Sequence, residues 1–181
     1  MTNSTSGTGM TIDPDRTLPE LRPYEHIRIG GIATACGNEP IDAPLFSEII
    51  PGIWTGGSVA EWDMPMPTMF RHILNFYPWM EYDVPAGANY KELRMLDAHH
   101  IDKAFLEEAA EFIDNAATMP GDILIHCQAG INRSNLALAY WLVTRKGWVG
   151  EEAIHRIRQR RCTTALCNPA FESFVRDLRW A

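Results

Sequence analysis

The period of the apolar positions changes several times along this chain, and each change marks an element. Ile49 to Thr55 reads as a first strand, followed by a short helix from Ser58 to Asp63. Ile73 to Tyr77, rich in β-branched and aromatic residues, reads as a short buried strand, and Tyr90 to Leu96 alternates enough to be a third. From Asp102 to Ala117 the period becomes helical, with Phe105, Leu106, Ala109, Phe112, Ile113 and Ala116 on one face. Asp102 suits the N-cap of that helix and Met119-Pro120-Gly121 its end. Ile123 to His126 is the central strand, and helices follow at Ser134–Lys146, Gly150–Arg161 and Pro169–Trp180. Short strands interleaved with helices predict an α/β domain: a central, mainly parallel sheet flanked by helices. Ligands of such sheets bind at the carboxyl ends of the strands.

The N-terminal quarter carries no such pattern. The first 22 residues are rich in Ser, Thr, Gly and Pro and read as a mobile tail. Between Pro23 and Phe46, Gly30-Gly31 and Pro40 interrupt any element. The chain therefore divides into a mobile or irregular extension, 1–45, and one folded domain, 46–181.

Composition narrows the partners. With 46% apolar and 22% charged residues, the 181-residue chain is ordinary for a globular protein. Its apolar runs fall short of a membrane span, and its start lacks a basic-then-apolar leader. A net charge of −7 argues against nucleic acid and requires any attraction for phosphate to be local. Four cysteines without paired spacing do not suggest a disulfide framework.

One loop carries the candidate chemistry. His126-Cys127-Gln128-Ala129-Gly130-Ile131-Asn132-Arg133-Ser134 places a cysteine and an arginine at the two ends of a turn between the central strand and a helix. Free N–H groups and the helix dipole make such a turn an anion site. Cys-x5-Arg alone is weak, and six residues beyond Cys36, Cys162 and Cys167 stand Asp42, Asn168 and Ser173. Only Cys127 has the Arg, the mid-loop Gly130, the following Ser134 and the strand-to-helix setting together. A thiolate there would attack a bound phosphate. Arg133 would fork two equatorial oxygens, and Ser134 would donate to the sulfur. The loop residues Gln128 to Asn132 would supply N–H groups to the phosphate, and His126 would hold the loop.

A leaving oxygen also needs a proton from a second loop. Five aspartates lie within the 45 residues before Cys127: Asp83, Asp97, Asp102, Asp114 and Asp122. Asp97 ends the third strand and so emerges at the same sheet edge as Cys127; Asp102 is the runner-up, with a capping job. His99-His100 lack the further ligands a metal needs, so no metal and no cofactor is expected. The run Arg156, Arg158, Arg160, Arg161 reads as a solvated helix face, with Arg158 packing on the loop. Trp79 and Tyr82, in the Pro78–Pro85 segment, are the residues that could wall the pocket, since no long insertion precedes Asp97.

The loop HCQAGINRS resembles the phosphate-binding loop of cysteine-dependent protein phosphatases, specifically the dual-specificity branch. Ile53-Trp54-Thr55-Gly56-Gly57 resembles the first strand of that family, and His72-Ile73-Leu74-Asn75-Phe76 its second. Asn168-Pro169-Ala170-Phe171 resembles a Pro-Asn-x-Gly-Phe element, with Cys167 in the place of the Pro and Ala170 in that of the Gly. The resemblance covers 46–181 and implies a protein-tyrosine-phosphatase-like fold and an acid about thirty residues before the Cys, which favours Asp97. It also implies hydrolysis of phosphotyrosine, with phosphothreonine and phosphoserine beside it, through a phosphocysteine. The expected partner is a phosphorylated protein, and the expected state a cytoplasmic monomer with no membrane or nucleic-acid partner. A lipid or RNA-end phosphatase on the same scaffold, or an inactive phosphate-binding module, would carry a similar loop. Gln128, Ala129 and Ile131 add none of the cations a phosphoinositide site favours.

Overall fold

The structure, a computed structural model, describes residues 26–180; the expected tail lies outside them. Its centre is a five-stranded sheet in the order β3-β4-β7-β5-β6. The strands are β3 (Phe46–Ile50), β4 (Ile53–Gly56), β5 (Phe70–Asn75), β6 (Asn89–Glu92) and β7 (Asp122–His126). β4, β7, β5 and β6 run parallel, and β3 returns antiparallel on the edge. The α/β architecture and mainly parallel sheet read from the sequence are those observed.

The period-2 alternation of β7 divides the core into two layers. Ile123 and Ile125 face four helices, α1 (Lys103–Ala116), α2 (Arg133–Lys146), α3 (Gly150–Arg160) and α4 (Pro169–Asp177). Leu124 faces the other way, onto Trp54, Phe70, Ile73 and Phe46. Helix α2 is apolar at every position from Leu136 to Val143 and is buried from Arg133 to Val143, as a central helix must be. Asp102 caps α1, its carboxylate accepting the Ala104 N–H at 2.9 Å.

Three elements depart from the sequence reading. The first strand is two, split by a turn at Pro51-Gly52 where Glu48 accepts the Gly52 N–H at 2.7 Å. The third ends at Glu92 rather than Leu96, because the Met95 carbonyl is taken by the Arg133 side chain instead of a neighbouring strand. Residues between 23 and 46, left without an element, form an antiparallel hairpin of β1 (Arg28–Ala33) and β2 (Glu39–Pro44) joined through a 3-10 turn at Thr34–Cys36. The hairpin base is bound to the second core layer through Ile27, Ile29 and Leu45. Cys36 in its tip is bonded to Cys167 before α4. Cysteine spacing does not reveal that disulfide, because 131 positions separate the partners and only the fold brings their Cα atoms to 5.2 Å.

Candidate active site

Strand β7 delivers Cys127 to the carboxyl edge of the sheet, between the ends of β4 and β5. The Cys127 N–H donates to Gly56 O at 3.3 Å and the Phe76 N–H to His126 O at 2.8 Å. Beyond Cys127 the backbone turns through a bowl. Its carbonyls are all claimed from outside. Ser58 N–H takes Gln128 O at 2.9 Å and Leu136 N–H takes Asn132 O at 2.8 Å. The Asn135 amide takes Gly130 O at 3.0 Å and Ile131 O at 2.8 Å. The Arg161 guanidinium takes Ala129 O at 3.1 Å and Gly130 O at 3.0 Å. With carbonyls held outward, the loop N–H groups are left to face the sulfur. Gly130 makes the turn at φ +65°, and a Cβ there would lie 2.4 Å from the Gly56 backbone, so no other residue fits.

Electrostatics follow from this arrangement. Burial alone would raise the Cys127 thiol. The Arg133 charge, the Ser134 hydroxyl and N–H, and the Gly130 N–H outweigh it, so the thiol sits below its ordinary value. Ser134 Oγ lies 3.5 Å from the sulfur. The Arg133 side chain, folded under the site and over the Tyr77 ring, donates at 3.4 Å to Phe76 O and Met95 O. Its buried Nε has no protein partner, which leaves a donor for an anion. His126 is fully buried, and burial, with the Arg133 charge adding to it, pulls its ring down to about 4. It is neutral at neutral pH, and its Nε2 sits 2.6 Å from the Tyr82 hydroxyl.

Asp97 stands across the pocket from the sulfur, exposed, with both oxygens held. The Asn132 amide donates to one at 2.9 Å and the Asn168 amide to the other at 2.8 Å. Asn168 also caps α4, accepting the Ala170 N–H at 3.1 Å. Asn132 thus belongs to the Cys127–Arg133 loop and to the clamp on Asp97 at once, while Asp102 stays with its helix. The pocket, about 190 Å³, is lined by Asp97, Cys127, Gln128, Ala129, Ile131, Asn132 and Arg133 on one side. Ile32, Ala33, Thr34, Ala35 and Ile41 of the hairpin line the other.

The family is decided by the comparison of sequences. The dual-specificity phosphatase catalytic domain matches residues 63–179. The chain belongs to the dual-specificity phosphatase family. Within this family of hydrolases, it is 30% identical over 149 residues to "Dual specificity protein phosphatase 1-B" of Xenopus laevis, covering 80% of this chain and 39% of that protein. The match to "Dual specificity protein phosphatase 1B" of Arabidopsis thaliana is 30% over 131 residues, 70% of this chain and 77% of that one. The chain thus spans about two fifths of the length of the Xenopus relative. Among solved structures, human DUSP28 superposes with a TM-score of 0.63 at 18% identity, over 73% of this chain and 90% of that one. That likeness carries the fold.

Three features of this dual-specificity phosphatase site were not read from the sequence. Arg161, not Arg158, braces the loop; Arg158 instead ties Glu172 to the carbonyls of Ala165 and Leu166. Helical periodicity leaves Arg161 on the end of α3 and cannot say that it turns inward. Tyr82 is no pocket wall but lies half-buried against His126, and the pocket's second wall comes from the hairpin. No group of three or more His, Cys, Asp or Glu among the described residues is placed to hold a metal ion.

Proposed function

We propose that the protein is a phosphomonoesterase acting on phosphorylated protein, with Cys127 as nucleophile, Arg133 as transition-state clamp and Asp97 as general acid. The observation that carries this reading is a thiol held below its ordinary pKa at the base of a bowl whose carbonyls all face outward. In the first step Cys127 Sγ bonds to phosphorus, and the departing oxygen takes the Asp97 proton. Arg133 and the N–H groups of Gln128 to Arg133 carry the charge of the equatorial oxygens. In the second, water attacks the phosphocysteine, Asp97 takes its proton, and Ser134 donates to the departing thiolate. The net change is ester plus water to alcohol plus phosphate, with no cofactor in either step.

Phosphotyrosine is the favoured ester, with phosphothreonine and phosphoserine beside it. A lipid or RNA-end phosphate finds less support, because the loop adds no cation to Arg133 and the protein is acidic. An inactive binding module has no use for an acid clamped opposite the thiol. We assign the protein to the cytoplasm as a monomer, where a reduced Cys127 persists. Rapid quenching with an aryl phosphate, followed by peptide mass analysis, tests the mechanism: a phosphoryl group on Cys127 is expected. Turnover without it, or no turnover, refutes the reading.

A further inference from the structure

The hairpin is packed into the core at its base and mostly exposed towards its tip. At the base, Leu45 N–H donates to Ile27 O at 2.9 Å, Arg161 donates to Pro44 O, and Ile29 packs so tightly that a Cβ on Gly57 would lie 2.3 Å from it. From Gly30 to Pro40 the backbone is mostly exposed, and Ile32, an isoleucine lining the pocket, is 62% exposed. Between base and tip lie two adjacent glycines. Gly31 is at φ +133° with nothing within 4 Å of a Cβ built on it, a conformation open to glycine and costly to others. The tip is held by the Cys36–Cys167 bond, by the Asn132 amide on the Cys36 sulfur at 3.4 Å, and by the Thr164 hydroxyl on Pro40 O at 3.0 Å. The far anchor, Cys167, immediately precedes Asn168 of the acid clamp.

We propose that the Ile32–Cys36 tip is the specificity wall of the pocket, and that the Cys36–Cys167 disulfide holds it raised. The proposal rests on the phosphatase reading and adds what governs its substrate range. With the wall raised, an aryl ring reaches Cys127 through an apolar slot between Ile32, Ile41 and the loop, while a short phosphothreonine presses its own backbone on the tip. A dithiol opens the bond by exchange. Its thiolate attacks one sulfur, its second thiol displaces the protein from the mixed disulfide, and the chain gains two thiols as the dithiol becomes a disulfide. The tip then swings on Gly30-Gly31 and the shorter ester enters. A cytoplasmic disulfide of this kind is redox-sensing rather than a staple.

The test uses the full chain, one peptide phosphorylated on tyrosine and the same peptide phosphorylated on threonine in its place. Peptide mapping of protein prepared without reductant is expected to show Cys36 linked to Cys167. On reduction the phosphotyrosine-to-phosphothreonine ratio of kcat/KM should fall about tenfold, the low end of what pocket contacts discriminate. Cys36→Ala should show the low ratio from the start and no response to the dithiol, which separates the wall from simple recovery of Cys127. Hydrogen exchange in wild type reads the same event without the variant: residues 30–40 should exchange faster after reduction. Absence of the linked peptide, or an unchanged ratio with steady aryl-phosphate turnover, overturns the wall alone. Absence of turnover on any ester removes the reading beneath it.

Discussion

The floor of the pocket and its wall are built on opposite principles. The floor, Cys127 to Ser134, is buried apart from Gln128 and Ala129, and each carbonyl from Gln128 to Asn132 has a donor. The wall, Ile32 to Cys36, exposes Ile32 and Thr34 and hangs on a covalent bond and two polar contacts. Chemistry demands fixed geometry, since misplacing a donor forfeits transition-state stabilisation. Selection among substrates tolerates, and can use, a part that moves. Changes to the floor should therefore cut turnover on every substrate, and changes to the wall should redistribute it.

The largest effect tests the floor at its centre. Cys127→Ser should reduce aryl-phosphate hydrolysis to background while leaving circular dichroism and phosphate binding intact; surviving turnover would remove the nucleophile. Next is Asp97→Asn, expected to lower kcat by about 10²–10⁴-fold on an alkyl phosphate. The loss should shrink on an aryl phosphate whose oxygen leaves without a proton. Asp102→Asn should leave both rates alone, since Asn also caps helices, and equal losses on both esters for Asp97→Asn would point to another acid. Arg133→Lys keeps the charge and loses the fork, and should cost about 10²–10³-fold in kcat, the scale of one lost oxyanion donor.

Smaller effects sharpen the comparison through pH and stability. Turnover requires the thiolate, so kcat/KM rises with pH through the Cys127 pKa. Ser134 lowers that pKa, so Ser134→Ala should move the rising limb to higher pH; an unmoved limb would leave Ser134 without its role. The smallest expected change is Tyr82→Phe, which removes the partner of His126 and should cost about 1 kcal/mol of stability by denaturant melts, with substrate preference unchanged. Altered preference there would return Tyr82 to the wall.

The floor was legible in the sequence and the wall was not, for a physical reason. Cys127, Gly130, Arg133 and Ser134 fall within eight consecutive residues, and their strand-to-helix setting is a local pattern that periodicity reveals. Asp97 could be narrowed because the resemblance places an acid about thirty residues before the Cys, although the strand read as ending beside it stops at Glu92. Asn132 gave no sign of its reach to Asp97 and Asn168, nor Arg161 of its turn inward, because those contacts cross 31 positions or more. The hairpin escaped for a related reason. Gly30-Gly31 and Pro40 break the alternation that marks a strand, yet on an exposed two-stranded ribbon they are tolerated.

The brace on the loop also sets an order of assembly. The Cys127–Ser134 motif is complete when residue 134 has been made, but its Ala129 and Gly130 carbonyls wait for Arg161, and the second hold on Asp97 for Asn168. Burial draws Arg161 down to about 10, so it enters still charged and needs those carbonyls as much as they need it. During synthesis, at about 5–20 residues per second, the emerging chain carries a reactive cysteine well before it carries a site that could use one. A chain cut short before Arg161 would keep every residue of the motif and lack both the brace on its carbonyls and the Asn168 hold on Asp97.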